Sequence, residues 1–490
     1  MSRINTNISS LVAQNTLNRA TDDLNTRLER LSTGLRINRG SDDPSGLIAS
    51  ERLRSEIRAT DQAVDNAERA SNVIATTEGA LAEVSNLLTS IKALTIQAAN
   101  TGAFSPAEIE ANQLEIDSAV QSITRISNTA SFAGLNLLDG SLGFVTSGAD
   151  ATKVNDIEVH GANFGLDTSI PVSVEVLGAA EKASLFLSGG NATFPGALEE
   201  SVTLEVIGAT GGTTFNLVSG TGLADVASAI NQVRDATGVT ARLVNDANPA
   251  SGMVFESEGY GQSEFVSVNV LDGGENFVTL SSAGATAAAA VARDEGVDVL
   301  ATVNGNVAEG DGLDLTLASV TLDVDMVLTS GTATTVGSGT SFTITGGGAL
   351  FQVGPEVNSL QQVGFGIGSV AASRLGNDAL GVLSSLVTGG GNSLVEGRAR
   401  EASQIIDLAS QQVATLRGRL GAFERNTLDT GARSQQAALE NLTASESAIR
   451  DADFAEESAA LTRAQILQQA NTSTLALANQ SAQNVLSLLQ

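Results

Sequence analysis

From Pro44 to about Asn100 the chain carries one unbroken helical stripe, Leu53, Ile57, Val64, Ala67, Ile74, Leu81, Val84, Leu88 and Ile91. Those steps keep to one face of a helix. The next proline is Pro106. At 1.5 Å per residue the stretch predicts a helix roughly 80 Å long, far beyond ordinary globular helices. Such a helix needs apolar partners along its whole length, and the sequence supplies them at both chain ends. A first helix is expected from about Ile4 to Leu35, with Leu17, Ala20, Leu24, Leu28, Leu31 and Leu35 on its stripe. A third is expected from Pro106 to about Asn128, with Ile109, Ile116, Val120 and Ile123. Asp43 before Pro44 and Ser105 before Pro106 are capping residues followed by proline at the first helical position.

Helix returns near Ala399. Ala399, Ala402, Ile406, Ala409, Val413, Leu416, Leu420 and Phe423 alternate steps of 3 and 4, the spacing of a coiled coil. The last thirty residues, Leu461–Gln490, contain no Gly, Pro or aromatic residue and one charge, Arg463. Leu475, Ala478, Ala482, Val485 and Leu489 form a seam there, flanked by Gln468, Gln469, Asn471, Asn479, Gln480, Gln483 and Asn484. An amide-coated helix at a chain end has little to bury itself against within its own chain. It is expected to pack against copies of itself in other chains.

Between the ends the pattern changes. Gly, Thr, Ser and Val dominate from about 141 to 390, with short alternating runs at Val172–Val176, Val202–Ile207, Thr214–Val218, Val266–Val270 and Phe342–Thr345. Turn sequences such as GATGG and DGG separate them, which predicts β-rich structure. Phe132–Gly140 is a turn-rich entry into it. One helix stands inside, with Leu223, Val226, Ile230 and Val233 on a face and expected strands Thr213–Val218 and Thr240–Val244 on either side. The expected fold class is α+β: a long antiparallel helical coiled-coil rod built from both chain ends, with a β-rich insertion domain at its tip.

Charge is placed unevenly. Residues 1–140 hold 12 basic and 17 acidic side chains, residues 391–490 hold 8 and 11, and residues 141–390 hold 6 and 27. A strongly acidic middle disfavours nucleic acid and anionic membrane as partners. There is no Cys, one His (His160) and one Tyr (Tyr260). Disulfides, thiolate chemistry and two-histidine metal motifs are therefore excluded. A solvated His160 near a strand end outweighs a catalytic one, since it has no second His or Cys partner. The acidic runs Gly310–Leu317 and Leu322–Met326 lack an EF-hand pattern, so no metal or cofactor is expected. No apolar run approaches a membrane span, and the start of the chain lacks the apolar core of a secretory signal.

The two ends resemble bacterial flagellin. The resemblance rests on INTN (Ile4–Asn7), LERLSTGLRINRGSDDPSGLIASERLR (Leu28–Arg54), TTEGALAEVSNLL (Thr76–Leu88), IQAAN (Ile96–Asn100), LGAFERN (Leu420–Asn426), IRDADFAEESAALTRAQILQQANTSTLALANQ (Ile449–Gln480) and NVLSLLQ (Asn484–Gln490). The stretch Val202–Val244 also resembles a module found inside flagellins and hook-associated proteins. The resemblance implies a non-enzymatic structural subunit that polymerises into the flagellar filament, the helical propeller of swimming bacteria. It implies an inner core from residues 1–44 and 454–490, a helical layer from 45–142 and 395–453, and a surface-exposed insertion from 143–394 of one or two subdomains. The polymerisation core would be Ile4, Ile8, Leu11, Leu17, Leu24, Leu28, Leu31, Leu475, Ala478, Ala482, Val485, Leu486 and Leu489. Implied partners are further copies of the chain, the flagellar export apparatus, a flagellin export chaperone, the filament cap and hook-associated proteins. Implied localisation is the extracellular flagellum, reached through the flagellar secretion channel without a cleaved signal.

Two further expectations concern the termini and the surface. Each terminal helix alone has a thin apolar stripe and amide flanks, so it is expected to be disordered in the free subunit and to order on assembly. Many flagellins that activate the animal flagellin receptor carry Arg and Glu where this chain has Ser90 and Ala93, although Leu94 and Gln97 match. The resemblance thus implies an altered receptor patch. The competing reading is a hook–filament junction protein of the same family, which usually departs from the pattern at the extreme termini. A coiled-coil signalling protein lacks a membrane span or sensory domain here, and a secreted adhesin leaves the paired terminal helices unexplained.

Overall fold

The computed structural model describes residues 6–165, 167–188, 195–274, 277–282, 290–319, 321–377 and 380–487. The chain divides into two compact units. One comprises the described residues of Met1–Ser71, Gln352–Val357 and Phe423–Gln490; the other those of Asn72–Phe351 and Asn358–Ala422. Nine α-helices occur among the described residues: α1 (Ile8–Thr33), α2 (Pro44–Ala99), α3 (Pro106–Thr129), α4 (Leu223–Asn231), α5 (Arg234–Thr237), α6 (Ser330–Ala333), α7 (Ala399–Phe423), α8 (Asp429–Arg450) and α9 (Phe454–Ser487). The result is α+β, with helical terminal regions and a β-rich middle.

Helix boundaries follow local chemistry. The Gly46 N–H donates to Asp43 Oδ1 at 2.9 Å, so Asp43 caps α2 with Pro44 in its first turn. Ser105 and Glu108 form a reciprocal capping box on α3. Gly34 ends α1 in the left-handed conformation, φ 73°, where a side chain would be strained. Between α7 and α8 the backbone takes a π-helical turn, Glu424–Leu428, which the regular 3,4 spacing through Phe423 did not signal.

The first unit contains α1, α8, α9 and the start of α2. Within it Arg450 donates to Glu51 Oε1 at 2.8 Å, and Ser71 hydrogen-bonds Glu424. In the second unit the remainder of α2 buries Leu81, Val84, Leu88 and Ile91 completely, and α3 and α7 bury Ile116, Ile123, Ile405 and Ile406. Lys92 Nζ donates to Ser403 Oγ at 2.7 Å and pairs with Asp407, joining α2 to α7. The chain's other two lysines are also engaged: Lys153 donates to the Gly339 carbonyl, and Lys182 to the Glu258 carbonyl beside the Tyr260 ring.

The β-rich middle has two hydrophobic cores. One lies against an eight-stranded antiparallel sheet in the order Phe144–Ser147, Gly339–Gly347, Ile170–Gly178, Leu300–Val303, Asn306–Asp311, Asp314–Ala318, Leu322–Leu328, Val154–Ala162. Its first and last strands follow one another in sequence through residues 148–153, so the sheet curls to bring its edges near each other. Gly310 lets the backbone at Val299 approach closely, because a Cβ there would sit 1.9 Å from the Val299 carbonyl oxygen. The second core lies between two four-stranded sheets with α4 against it, filled by Leu204, Val206, Val226, Ile230, Met253 and Phe255. The strands flanking α4, Gly211–Leu217 and Val239–Leu243, belong to different sheets. The strand–helix–strand run is therefore a bridge between two layers.

Candidate assembly surface

Within the first unit, α1 and α9 pair antiparallel. Asn7 Nδ2 donates to the Ala478 carbonyl at 2.9 Å, Ser10 Oγ to Asn479 Oδ1 at 2.7 Å, and Asn471 Nδ2 to the Thr16 carbonyl at 3.4 Å. At the other end the Ala452 N–H donates to Gly34 O at 2.9 Å and the Arg36 N–H to Arg450 O at 2.7 Å. The facing residues of α1 are Ser10, Ala13, Leu17, Ala20, Leu24, Arg27 and Leu31; those of α9 are Glu457, Leu461, Ala464, Gln468, Asn471, Leu475 and Ala478. All are buried or half-buried. Both sets alternate steps of 3 and 4, so each helix presents a continuous narrow seam.

One expectation is corrected here. The described part of the terminal seam, Leu475 and Ala478, packs against α1 of the same chain and is half-buried. The amide side chains Asn471 and Asn479 find partners on α1, which gives the last helix a place in its own chain. The open apolar positions lie on the far sides of the two helices: Ile8, Leu11, Val12, Ile466 and Leu477 are 57–71% exposed. Of the other expected core residues, Leu17, Leu24 and Leu31 are half-buried in the seam and Leu28 is exposed. Ala482, Val485 and Leu486 continue α9, with side chains outside the described set; Ile4 and Leu489 lie outside the described residues.

Glu457 is the one charge buried in the α9 seam, with 5% of its surface exposed. Arg27 donates to its Oε2 at 3.0 Å and Arg30 to its Oε1 at 3.2 Å. Burial pushes the Glu457 carboxyl up, but the two arginine hydrogen bonds outweigh it and hold the group below the usual carboxylate range. Sequence reading passed over Glu457, although it stands seven residues before Ala464 in the same series.

On α2, Ser90, Ala93 and Gln97 are exposed and Leu94 is half-buried, so the four share one face. His160 is not a solvated strand-end residue. It lies within Val154–Ala162, its side chain is 13% exposed, and Nε2 is 3.2 Å from Asp325 Oδ2. Asp325 also pairs with Arg419 of α7. The second acidic run, Leu322–Met326, thus meets an arginine and a histidine. Among the described residues no group of three or more His, Cys, Asp or Glu side chains could hold a metal ion, and no helix is long and apolar enough to cross a membrane.

Three family models match. The bacterial flagellin N-terminal helical region covers residues 4–142, the C-terminal helical region 403–489, and the flagellin hook IN motif 201–259. The chain is 32% identical to a flagellin of Salmonella rubislaw and 34% identical to the B-type flagellin of Pseudomonas aeruginosa, each alignment covering 99% of both chains. Flagellin B of Vibrio cholerae is 29% identical, also over 99% of both. Among solved structures, FlgL of Xanthomonas campestris is 12% identical, over 81% of this chain and 99% of that one, at a TM-score of 0.29. The flagellar cap protein FliD of Escherichia coli is 18% identical, over 47% of this chain and 64% of that one, at 0.30.

Proposed function

The chain belongs to the bacterial flagellin family, and on that premise we propose that it polymerises into the flagellar filament whose rotation drives swimming. The observation that carries this reading is the pair α1–α9, which buries one seam and leaves Ile8, Leu11, Val12, Ile466 and Leu477 in solvent. Apolar side chains of this size on the outer faces of paired helices gain stability only when another surface covers them, roughly 1.5–3 kcal/mol for each one fully buried. Neighbouring copies of the chain are that surface.

In this reading residues 1–44 and 454–490 line the filament interior, 45–142 and 395–453 form a coiled-coil layer around it, and 143–394 faces the medium. Ile4, Ile8, Leu11, Leu28, Ala482, Val485, Leu486 and Leu489 bury between subunits, and Leu17, Leu24, Leu31, Leu475 and Ala478 hold the pair that presents them. The acidic insertion, with 27 acidic against 6 basic side chains across 141–390, suits a repulsive outer surface. Export through the flagellar channel, a chaperone for the exposed terminal helices, and growth beneath a cap follow from the family. Ser90 and Ala93 in place of Arg and Glu predict weak engagement of the flagellin receptor.

Light scattering and electron microscopy of seeded assembly test the proposal. The intact chain should extend filament seeds, and a chain lacking Leu461–Gln490 should not. Extension by the truncated chain, or none by the intact one, would reject it.

A further inference from the structure

The α1–α9 seam repeats with a period of seven. On α1, Ala13 and Ala20 stand one heptad apart, as do Leu17, Leu24 and Leu31; on α9, Leu461 and Leu475 or Ala464 and Ala478 stand two heptads apart. Sliding α9 by seven residues, about 10 Å along the axis, exchanges its leucine and alanine positions with those of the neutral amides Gln468 and Asn471. Those amides bias the register, but being uncharged they cost far less to misplace than a buried charge. The repeat is broken by charge at one place on each helix: Arg27 follows Ala13 and Ala20 in the small-residue series, and Glu457 precedes Ala464. In the observed register those two meet at 3.0 Å, with Arg30 completing the group at 3.2 Å.

We propose that Glu457, held by Arg27 and Arg30, is the register key of the terminal helix pair. In a register shifted by one heptad Glu457 faces the leucine and alanine positions or leaves the seam, and Arg27 faces Ala464 or the chain before α9. A carboxylate buried without its arginines is strongly disfavoured, whereas the paired one is tolerated. The key therefore acts by penalising the alternatives. It stands beside the backbone contacts of Gly34 and Arg36 with Ala452 and Arg450, and these two features share the start of α9. From Leu461 onward, among the described residues, the register is marked only by uncharged contacts, those of Asn7, Ser10, Asn471 and Asn479.

The chain has no cysteine, which makes register directly readable by engineered disulfides. In the full chain, Ser10→Cys with Asn479→Cys reports the observed register, since those side chains are 2.7 Å apart. Ser10→Cys with Thr472→Cys and Leu17→Cys with Asn479→Cys report the shifts in the two directions. With Glu457 present, mild oxidation should close the first pair and leave the other two open, as their separation exceeds disulfide reach. With Glu457→Gln, closure of at least one shifted pair should rise by roughly tenfold or more. The triple reversal Arg27→Glu, Arg30→Glu, Glu457→Arg should restore the single register, an outcome that loss of stability alone does not give. Shifted disulfides with Glu457 intact, unchanged selectivity in Glu457→Gln, or no rescue by the reversal would each overturn the proposal.

Discussion

Asp325 and Glu158 face each other on adjacent antiparallel strands, carboxylate against carboxylate. Arg419 of α7 compensates them from above by pairing with Asp325, with Asp323 3.8 Å from the same guanidinium. Like charges directly opposed across strands are destabilising, so the sheet depends on a helix residue to tolerate its own sequence. Replacing Arg419 with Leu should destabilise the second unit by about 1–2 kcal/mol in urea unfolding, because it leaves the partly buried Asp325 carboxylate with His160 but without its guanidinium partner. Adding Asp325→Asn should recover most of that loss.

Glu158 itself should be a liability at neutral pH. Burial raises its carboxyl above the usual range, and Asp156 and Asp325 add to the rise while His160 and Arg419 oppose it. A raised acid favours the fold at low pH, and that contribution is lost as pH rises through the folded value. Its side chain is 57% exposed, so screening keeps the effect small. Glu158→Gln should raise the unfolding free energy slightly at pH 8, by about half a kcal/mol at most, and leave it unchanged near pH 4. Calorimetry at the two pH values checks this.

Glu457 has the opposite sign. Its carboxyl is held low by Arg27 and Arg30, so its contribution is complete above the ordinary glutamate range and lost as pH falls through the depressed value. Amide exchange along α1 and α9 should accelerate as pH is lowered from 5 toward 3, after correction for intrinsic rates. In Glu457→Gln this added acid sensitivity should disappear.

Gln113 joins α3 to the segment through which the chain returns to α7. It is 1% exposed, donates to Leu386 O at 2.7 Å and Asp117 Oδ1 at 2.8 Å, and accepts from the Leu394 N–H at 2.8 Å and Ser393 Oγ at 3.1 Å. Gln113→Leu should cost about 2–4 kcal/mol by leaving buried backbone groups unpaired. Faster amide exchange at Leu394 in that variant locates the loss.

Ile466 and Leu477 are 63% and 71% exposed, so charge there should spare the free chain and block assembly. Ile466→Lys with Leu477→Lys should keep the melting temperature of the parent and fail to extend filament seeds. A melting temperature that falls with assembly intact would assign these side chains to the chain's own fold.

The long helices were legible because their information is local. Apolar spacing placed α2 and α3, and Asp43 and Ser105 marked their first turns to the residue. Strands such as Ile170–Gly178 and Val202–Gly208 were also visible as alternation. Alternation does not encode which strand lies beside which, so the two sheets bridged by α4 were read as one module. The Gln113 group stayed hidden for the same reason, since its partners lie more than 270 residues away. The terminal seam was visible as a repeat, but a search for apolar periodicity skips charges. Arg27 and Glu457 sit in that repeat and each reads alone as a solvated charge; only the antiparallel pairing of the two chain ends makes them partners.

The three lysines give the chain an unusual chemical handle. Lys92 is tied to Ser403 and Asp407, Lys153 to the Gly339 carbonyl, and Lys182 to the Glu258 carbonyl and the Tyr260 ring. The remaining 23 of its 26 cationic side chains are arginines, which amine-reactive esters do not acylate at neutral pH. Dyes and surface couplings that target primary amines should therefore leave most of this protein untouched, and carboxylate-directed or cysteine-insertion labelling is the way to watch it move.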